Sequence, residues 1–190
     1  MNLSAERKNS VFIATSLDGY IADKNGGIEW LHAIPNPEKI DMGYSAFMNR
    51  IDALVMGRNS FETVRNFGIP WPYEKPVFVL SNSLTSIPDE LKKKVFLVNG
   101  SLSEISNNLH KKGLHKLYID GGKTIQNFLK EDLIDEMVIT TIPTLLGSGI
   151  PLFGAHQEVL EFECVESVRF LDKVVQSTFL RVRIAEDGKE

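Results

Sequence analysis

Hydrophobic and polar positions change period repeatedly along this chain, and the changes predict alternating strands and helices. Val11 to Thr15 is an apolar run without helical spacing and predicts a central strand. Pro35 and Pro37 then delay helix formation until Met42, Tyr44, Phe47, Met48 and Ile51 recur at the spacing of a one-sided helix starting near Asp41. Ala53 to Met56 reads as the next strand, Ser60 to Asn66 as a short helix, and Val77 to Leu80 and Val95 to Val98 as two further strands. Ser101 and Glu104 have capping-box spacing before a helix carrying Leu102, Ile105 and Leu109, which Gly113 ends. Leu117 to Ile119, a helix with Ile125, Phe128 and Leu129, and Met137 to Ile142 continue the rhythm. Strand-helix-strand repetition of this kind predicts a mainly parallel sheet.

The C-terminal end differs. Phe162, Cys164, Val168 and Phe170 alternate with polar residues, as do Thr178, Leu180, Val182 and Ile184, and Leu171-Asp172-Lys173 can turn between them. This predicts an antiparallel hairpin at one edge of the sheet. Between elements, Leu17 to Gly27 carries Asp18-Gly19 and Asn25-Gly26-Gly27 and reads as a mobile loop or a tight reversal. Phe67 to Lys75 is a Gly/Pro loop holding Trp71 and Tyr73. No repeat or linker breaks the pattern, so residues 1–190 read as one α/β domain with residues 1–9 flexible.

Composition narrows the classes. A length of 190 residues, 43% of them hydrophobic and 24% charged, suits one soluble domain, and no apolar run approaches membrane-spanning length. The polar start lacks a secretory pattern, which predicts a cytoplasmic protein. A single cysteine, Cys164, excludes an internal disulfide and multi-cysteine metal sites, and it reads as a small core or surface residue. His32, His110, His115 and His156 lack ligand spacing and read as surface or loop residues, so no metal is expected. A net charge of -4 argues against an extended nucleic-acid surface.

The candidate chemistry lies at two strand-glycine-helix junctions, Ala53 to Ser60 and Lys116 to Thr124. Each can aim backbone N–H groups and a positive helix terminus at a phosphate. Gly121-Gly122 serves either such a ligand or an ordinary strand-to-helix turn. Arg58 reads equally as a forked phosphate donor or as a solvated arginine at a helix start. Ser81-Asn82-Ser83, after a third apolar strand, adds hydroxyl groups that could grip the other end of a dinucleotide.

Five segments in order, Phe12–Ala22, Val55–Glu62, Val79–Ser83, Tyr118–Ile125 and Pro143–Phe153, resemble the dihydrofolate reductase superfamily. Within it the chain is similar to the branch of the riboflavin-biosynthesis reductase domain and its stand-alone relatives. The resemblance, over Val11 to Ile184, implies a three-layer α/β/α fold with a mostly parallel central sheet and the antiparallel hairpin. It implies NADPH as cofactor. Gly57, Arg58, Asn59 and Ser60 match a pyrophosphate and 2'-phosphate turn; Leu80, Ser81, Asn82 and Ser83 match the segment beside the 2'-phosphate and adenine. Gly121, Gly122, Lys123 and Thr124 match a second phosphate turn adjoining the nicotinamide, whose pocket Ala14 and Ile21 would line. Ser16, Asp18 and Gly19 open the loop that closes over substrate, and Trp30 could wall a ring pocket, as Trp71 and Tyr73 could, or pack the core rim. Asp41 falls where the superfamily places an acidic catalytic residue, and it also suits a helix N-cap; Glu29 is a further acidic candidate or a solvated side chain. No zinc deaminase can be assembled from this sequence. The expected activity is hydride transfer to a small heterocyclic or carbonyl substrate, pyrimidine-like or pterin-like, by a homodimer. Two alternatives stand beside it: a non-catalytic nucleotide-binding homodimer, and an unrelated α/β phosphate-binding fold that would put Ala14 and Gly121 far apart.

Overall fold

The computed structural model describes residues 6–155 and 158–183. Its main sheet has eight strands: β1 (Lys8–Ser16), β3 (Ala53–Gly57), β4 (Val77–Leu80), β5 (Val95–Val98), β6 (Lys116–Asp120), β7 (Glu136–Ile142), β9 (Phe162–Phe170) and β10 (Val174–Arg181). They lie in the order β5-β4-β3-β6-β1-β7-β10-β9. Neighbours from β5 to β7 are parallel, whereas β10 runs antiparallel to both β7 and β9. A separate two-stranded ribbon pairs β2 (Tyr20–Ala22) with β8 (Ile150–Pro151).

Helices cover both faces because the strands between them are apolar on both sides. On one face α1 (Tyr44–Asn49) and α2 (Arg58–Arg65) insert Phe47 and Phe61 against Leu54, Met56, Val77 and Val79. On the other, α3 (Leu102–Lys111) and α4 (Gly122–Lys130) bury Ile105, Leu109, Ile125 and Phe128 against Val11, Val55, Leu117 and Ile119. Phe61 and Phe128 are 0% exposed, and each contributes about 1.5–3 kcal/mol by leaving water. Ser101 and Glu104 form the expected capping box at α3. Leu171 and Asp172 turn the β9–β10 hairpin with φ of 51° and 56°. Edge strand β9 is exposed at Cys164 and at most other positions, so the hairpin's alternation does not correspond to a buried face.

Several boundaries differ from the sequence pattern, each for a local reason. Lys8 and Asn9 belong to β1 rather than to a flexible start: Asn9 is buried, its amide N–H donates to Asp135 at 2.7 Å and its Nδ2 to the Leu133 carbonyl at 2.7 Å. Side-chain hydrogen bonds, which periodicity does not register, offset the burial of these polar groups. The expected loop of 17–27 contains β2, and the loop after Pro143 contains β8; each is too short to show a period. Glu29–Ala33 forms a 3-10 turn, and α1 starts at Tyr44, after Met42 and Gly43 reverse the chain with φ of 51° and 84°. The α2 helix begins at Arg58 rather than Ser60. Residues 1–5, His156 and Ile184 lie outside the described residues. Among the described residues, no helix is long and apolar enough to cross a membrane.

Candidate active site

The site lies where the central parallel strands separate. Pairing of β1 with β6 runs from Lys8↔Lys116 to Ser10↔Tyr118 and then stops, although β1 continues to Ser16 and β6 to Asp120. On its other side β1 stays paired with β7 as far as Ser16↔Ile142. A crevice therefore opens between the carboxyl ends of β1 and β6, the position where open α/β sheets take ligands. Tyr118 spans its base, its hydroxyl donating to the Phe12 carbonyl at 2.9 Å.

Both glycine junctions meet beside this crevice. β3 and β6 are neighbours in register Met56↔Asp120, so α2 and α4 start side by side at the same edge. A Cβ built on Gly57 would lie 2.9 Å from Thr124 Oγ1, and one on Gly121 would strike the Ser60 side chain. Each glycine thus admits a hydroxyl from the opposite junction, and Gly121, with φ of 91°, also has a backbone that L side chains rarely adopt. A Cβ on Gly122 would lie 2.7 Å from Ile21 Cδ1, which brings the β2–β8 ribbon down over the start of α4. Among the described residues, neither α2 nor α4 has a side-chain cap, unlike α3, so no side chain takes up their first amides, the groups that an anion site uses. Asn59 and Lys123 are exposed on the two first turns, and Thr124 is buried.

The third segment joins them. Leu80 pairs with Gly57, and Arg58 Nη1 donates to Ser83 Oγ at 3.1 Å. Ser81 Oγ accepts the amides of Ser83 and Leu84 at 3.2 and 2.9 Å, fixing the turn that presents exposed Asn82. Residues from all three predicted cofactor segments therefore occupy one surface. Ala14 lies on the adjacent strand, partly buried. The unrelated-fold alternative would put Ala14 and Gly121 far apart; here Ala14 lies on β1 and Gly121 directly follows β6, the neighbouring strand.

The predicted catalytic and substrate residues fare differently. Asp41 is exposed, and its two carboxylate oxygens accept the amides of Gly43 and Ser45, each at 3.0 Å. Hydrogen bonds from Ser45 and Gly43 hold its carboxyl below the ordinary range. Of the two roles its sequence position offered, Asp41 fills that of a cap on the approach to α1, through the Gly43 and Ser45 amides. Asp18 is likewise occupied. It accepts the Ser16 hydroxyl at 2.6 Å and the Leu146 and Gly147 amides at 3.1 and 2.7 Å, and these bonds, Ser16 first, lower its pKa. Ser16 is buried and also accepts the Tyr20 amide at 2.9 Å, so Ser16, Asp18 and Gly19 brace the turn against the 143–149 segment. Trp30 is partly buried in the 3-10 turn, and its Nε1 is buried without a partner. Trp71 packs edge-on to Tyr73 and against Phe61, as a rim of the core. Glu29 is exposed.

Sequence reasoning passed over Asp120 as a site residue. It ends β6 immediately before Gly121, on the face of Tyr118 and α1, and protein atoms crowd its carboxyl although the residue keeps some exposure. Burial raises its pKa above the ordinary aspartate range, against the opposing pull of the Gly121 amide and the Tyr118 contact. Burial, with the Asp120 charge adding, pushes Tyr44 up to about 12 and raises Tyr73 and Tyr118 as well. The available signal was an acidic residue closing an apolar strand directly before Gly-Gly. A cleft of about 330 Å³ opens near the end of β1, between Leu31, Ile34, Met42, Ile142 and Val174. A larger hollow of about 650 Å³ lies at the carboxyl end of α4, away from these residues.

Comparison with known proteins agrees with this geometry. The family of RibD C-terminal domains matches residues 9–176. The uncharacterized protein YwjB of Bacillus subtilis (strain 168) is 38% identical over 149 residues, 78% of this chain and 83% of its own. The crystal structure of a putative riboflavin biosynthesis protein from Shewanella sp. PV-4 superposes with a TM-score of 0.91 at 57% identity, covering 93% of this chain and 99% of that one. A dihydrofolate reductase from Enterococcus faecalis, complexed with NADP(H), shares the fold at a TM-score of 0.60 and 19% identity, over 92% of this chain and 96% of that one. With its mixed sheet, antiparallel hairpin and covered faces, the chain has a dihydrofolate reductase-like fold and belongs to the RibD C-terminal domain family, an oxidoreductase-type family.

Proposed function

We propose that this protein is an NADPH-dependent reductase that delivers hydride to a small heterocyclic or carbonyl substrate of pyrimidine-like or pterin-like kind. The observation carrying this reading is the meeting of the uncapped α2 and α4 amino termini with the Arg58–Ser83 pair beside the β1–β6 crevice. The residues present fit a nicotinamide dinucleotide. Amides of 58–60 and 122–124 would hold the pyrophosphate, Arg58 with Ser81 and Ser83 would take a 2'-phosphate, and Ala14, Ile21 and Gly121 would border the ring. NADPH, when bound, supplies the hydride. The chain's own part is to hold the acceptor in the crevice and keep water from it. The dihydrofolate reductase neighbour's complex with NADP(H) supports this cofactor choice.

Titration of NADPH into the protein should give a saturable change in nucleotide fluorescence, with a weaker response to NADH. Absence of binding by either nucleotide defeats the reading. Binding without NADPH oxidation across pteridines, flavin precursors and quinones would favour a nucleotide-binding protein without turnover. We also propose a homodimer through the exposed β9 edge, where Val165 and Val168 are 48% and 36% exposed. Sedimentation showing only monomer at micromolar concentration would refute that.

A further inference from the structure

We propose that the acceptor is uncharged and apolar at the end that enters the cleft beside β1, and that an acceptor carrying a phosphate or carboxylate there is turned away. This inference rests on the reductase reading and narrows the substrate class of that site.

Strand register joins the cleft to the crevice. Phe12 meets Tyr44 and Phe47 of α1 at ring separations of 5.4 and 5.0 Å, so β1 turns Phe12, Ala14 and Ser16 toward the α1 face. On the next strand Thr140 pairs with Ala14, and Ile142 with Ser16. Gln176 reaches the same face from β10: its Nε2 donates to Thr140 Oγ1 at 2.9 Å and to the Met42 carbonyl at 3.0 Å. These two bonds seat the 31–42 segment over the ends of β7 and β10. The cleft of about 330 Å³ is the space left between them, with Leu31, Ile34 and Met42 on one side and Ile142, Leu171 and Val174 on the other. Two residues along a strand is about 7 Å, so an acceptor ring lying over Ala14 reaches the cleft with its far edge.

The walls set what can enter. Two polar residues line the cleft. Asn36 spends its side chain on its own turn, donating to the Ile40 carbonyl at 2.8 Å and accepting the Ile40 amide at 2.9 Å, and His32 is exposed. Among the described residues lining the cleft, none is a lysine or an arginine. Lys39, Arg169 and Lys173 are the cations nearest in sequence to the walls; all three are exposed, and Arg169 pairs with Asp172 at 3.3 Å. An anion in the cleft would lose water without gaining a charge-assisted hydrogen bond, whereas a methyl or aryl group gains by leaving water. The open end of β1 and β7 is apolar as well. Leu17 and Leu145 are 61% and 69% exposed there, brought close by the Leu17 amide, which donates to the Thr144 carbonyl at 2.8 Å.

Two pterins that differ at one ring position test this. 6-Methylpterin and pterin-6-carboxylate are titrated into the whole protein by their own fluorescence, with and without NADPH. 6-Methylpterin should bind at least about tenfold more tightly, because the carboxylate must be desolvated without a partner. Ile34→Lys should narrow that ratio to less than about threefold by supplying the partner, and Leu31→Lys, from the 3-10 turn, should do the same. Lys39→Ala combined with Lys173→Ala should leave the ratio unchanged. Equal affinities in the wild type, a preference for the carboxylate, or binding of neither pterin would overturn the proposal. So would a ratio that neither new lysine moves, or one that rises when Lys39 and Lys173 are removed. The pterin ratio is read without nucleotide too, so a failure to bind NADPH defeats the reductase reading separately and leaves the ratio standing.

Discussion

Replacing Gly121 by alanine separates two physical demands at the centre of the site. Its φ of 91° and ψ of 133° lie where only glycine is comfortable, and such a conformation costs an L residue about 1–3 kcal/mol. A new Cβ would also run into Ser60 Oγ and lie 3.3 Å from Ser60 Cβ. Overpacking of this sort typically adds about 1–3 kcal/mol. Gly121→Ala should therefore destabilise by about 2–6 kcal/mol in urea unfolding. Gly19 provides the control: its φ is 84°, and nothing lies within 4 Å of a built Cβ, so Gly19→Ala should cost only the backbone part, about 1–2 kcal/mol. Adding Ser60→Ala to Gly121→Ala removes the Oγ contact and should restore the steric share, leaving the backbone share in place. NADPH affinity, followed by fluorescence, should fall in Gly121→Ala and recover only in part in the double variant. Two results would refute the reasoning: Gly121→Ala no more destabilising than Gly19→Ala, or no recovery with Ser60→Ala.

Other outcomes follow from the same contacts. Arg58→Ala should weaken NADPH by about 10- to 100-fold, the scale of a lost charge-assisted hydrogen bond, with a much smaller effect on NADH; equal losses in parallel titrations would contradict a 2'-phosphate role. Asp41→Ala should lower the melting temperature by removing the acceptor for the Gly43 and Ser45 amides, while NADPH affinity holds; a change in affinity without a thermal shift would return Asp41 to the site. Burial, with Arg7 and His115 adding and Asp135 opposing, lowers the pKa of His110 in the fold. The unfolded chain then binds a proton that folded His110 resists, so stability is unaffected above the ordinary histidine value and declines as pH falls from it toward the lowered folded value. Urea midpoints across mildly acidic pH should show this slope in the wild type and a flatter one in His110→Gln.

Much of the architecture was legible without coordinates. Apolar runs at Ala53–Met56 and Val77–Leu80, helical spacing at Ile105 and Leu109, the Ser101–Glu104 box and the Leu171-Asp172 turn are local signals, and local physics decides them. The two glycine junctions, read from the sequence as parts of one site, start α2 and α4 side by side at the ends of β3 and β6. The β2–β8 ribbon escaped notice because strands of three and two residues have no period, and their pairing joins segments about 130 positions apart. Asp41 was read both as a catalytic acid and as a helix cap, and its carboxylate accepts the Gly43 and Ser45 amides as a cap does.

Sequence alone determined the strand-helix rhythm, the hairpin and the family, since these depend on periodicity and on motifs short enough to read in order. Tertiary structure decided what no local pattern carries: that β1 and β6 separate after Ser10 and Tyr118, that Ser60 fills the space at Gly121, and that Tyr118 spends its one hydrogen on Phe12. The physical reason is that a carboxyl's proton affinity is set by what surrounds it in space. Asp18, Asp41 and Asp120 have the same side chain, yet hydrogen bonds from Ser16 and Ser45, with neighbouring backbone amides, lower the first two pKa values while burial raises the third.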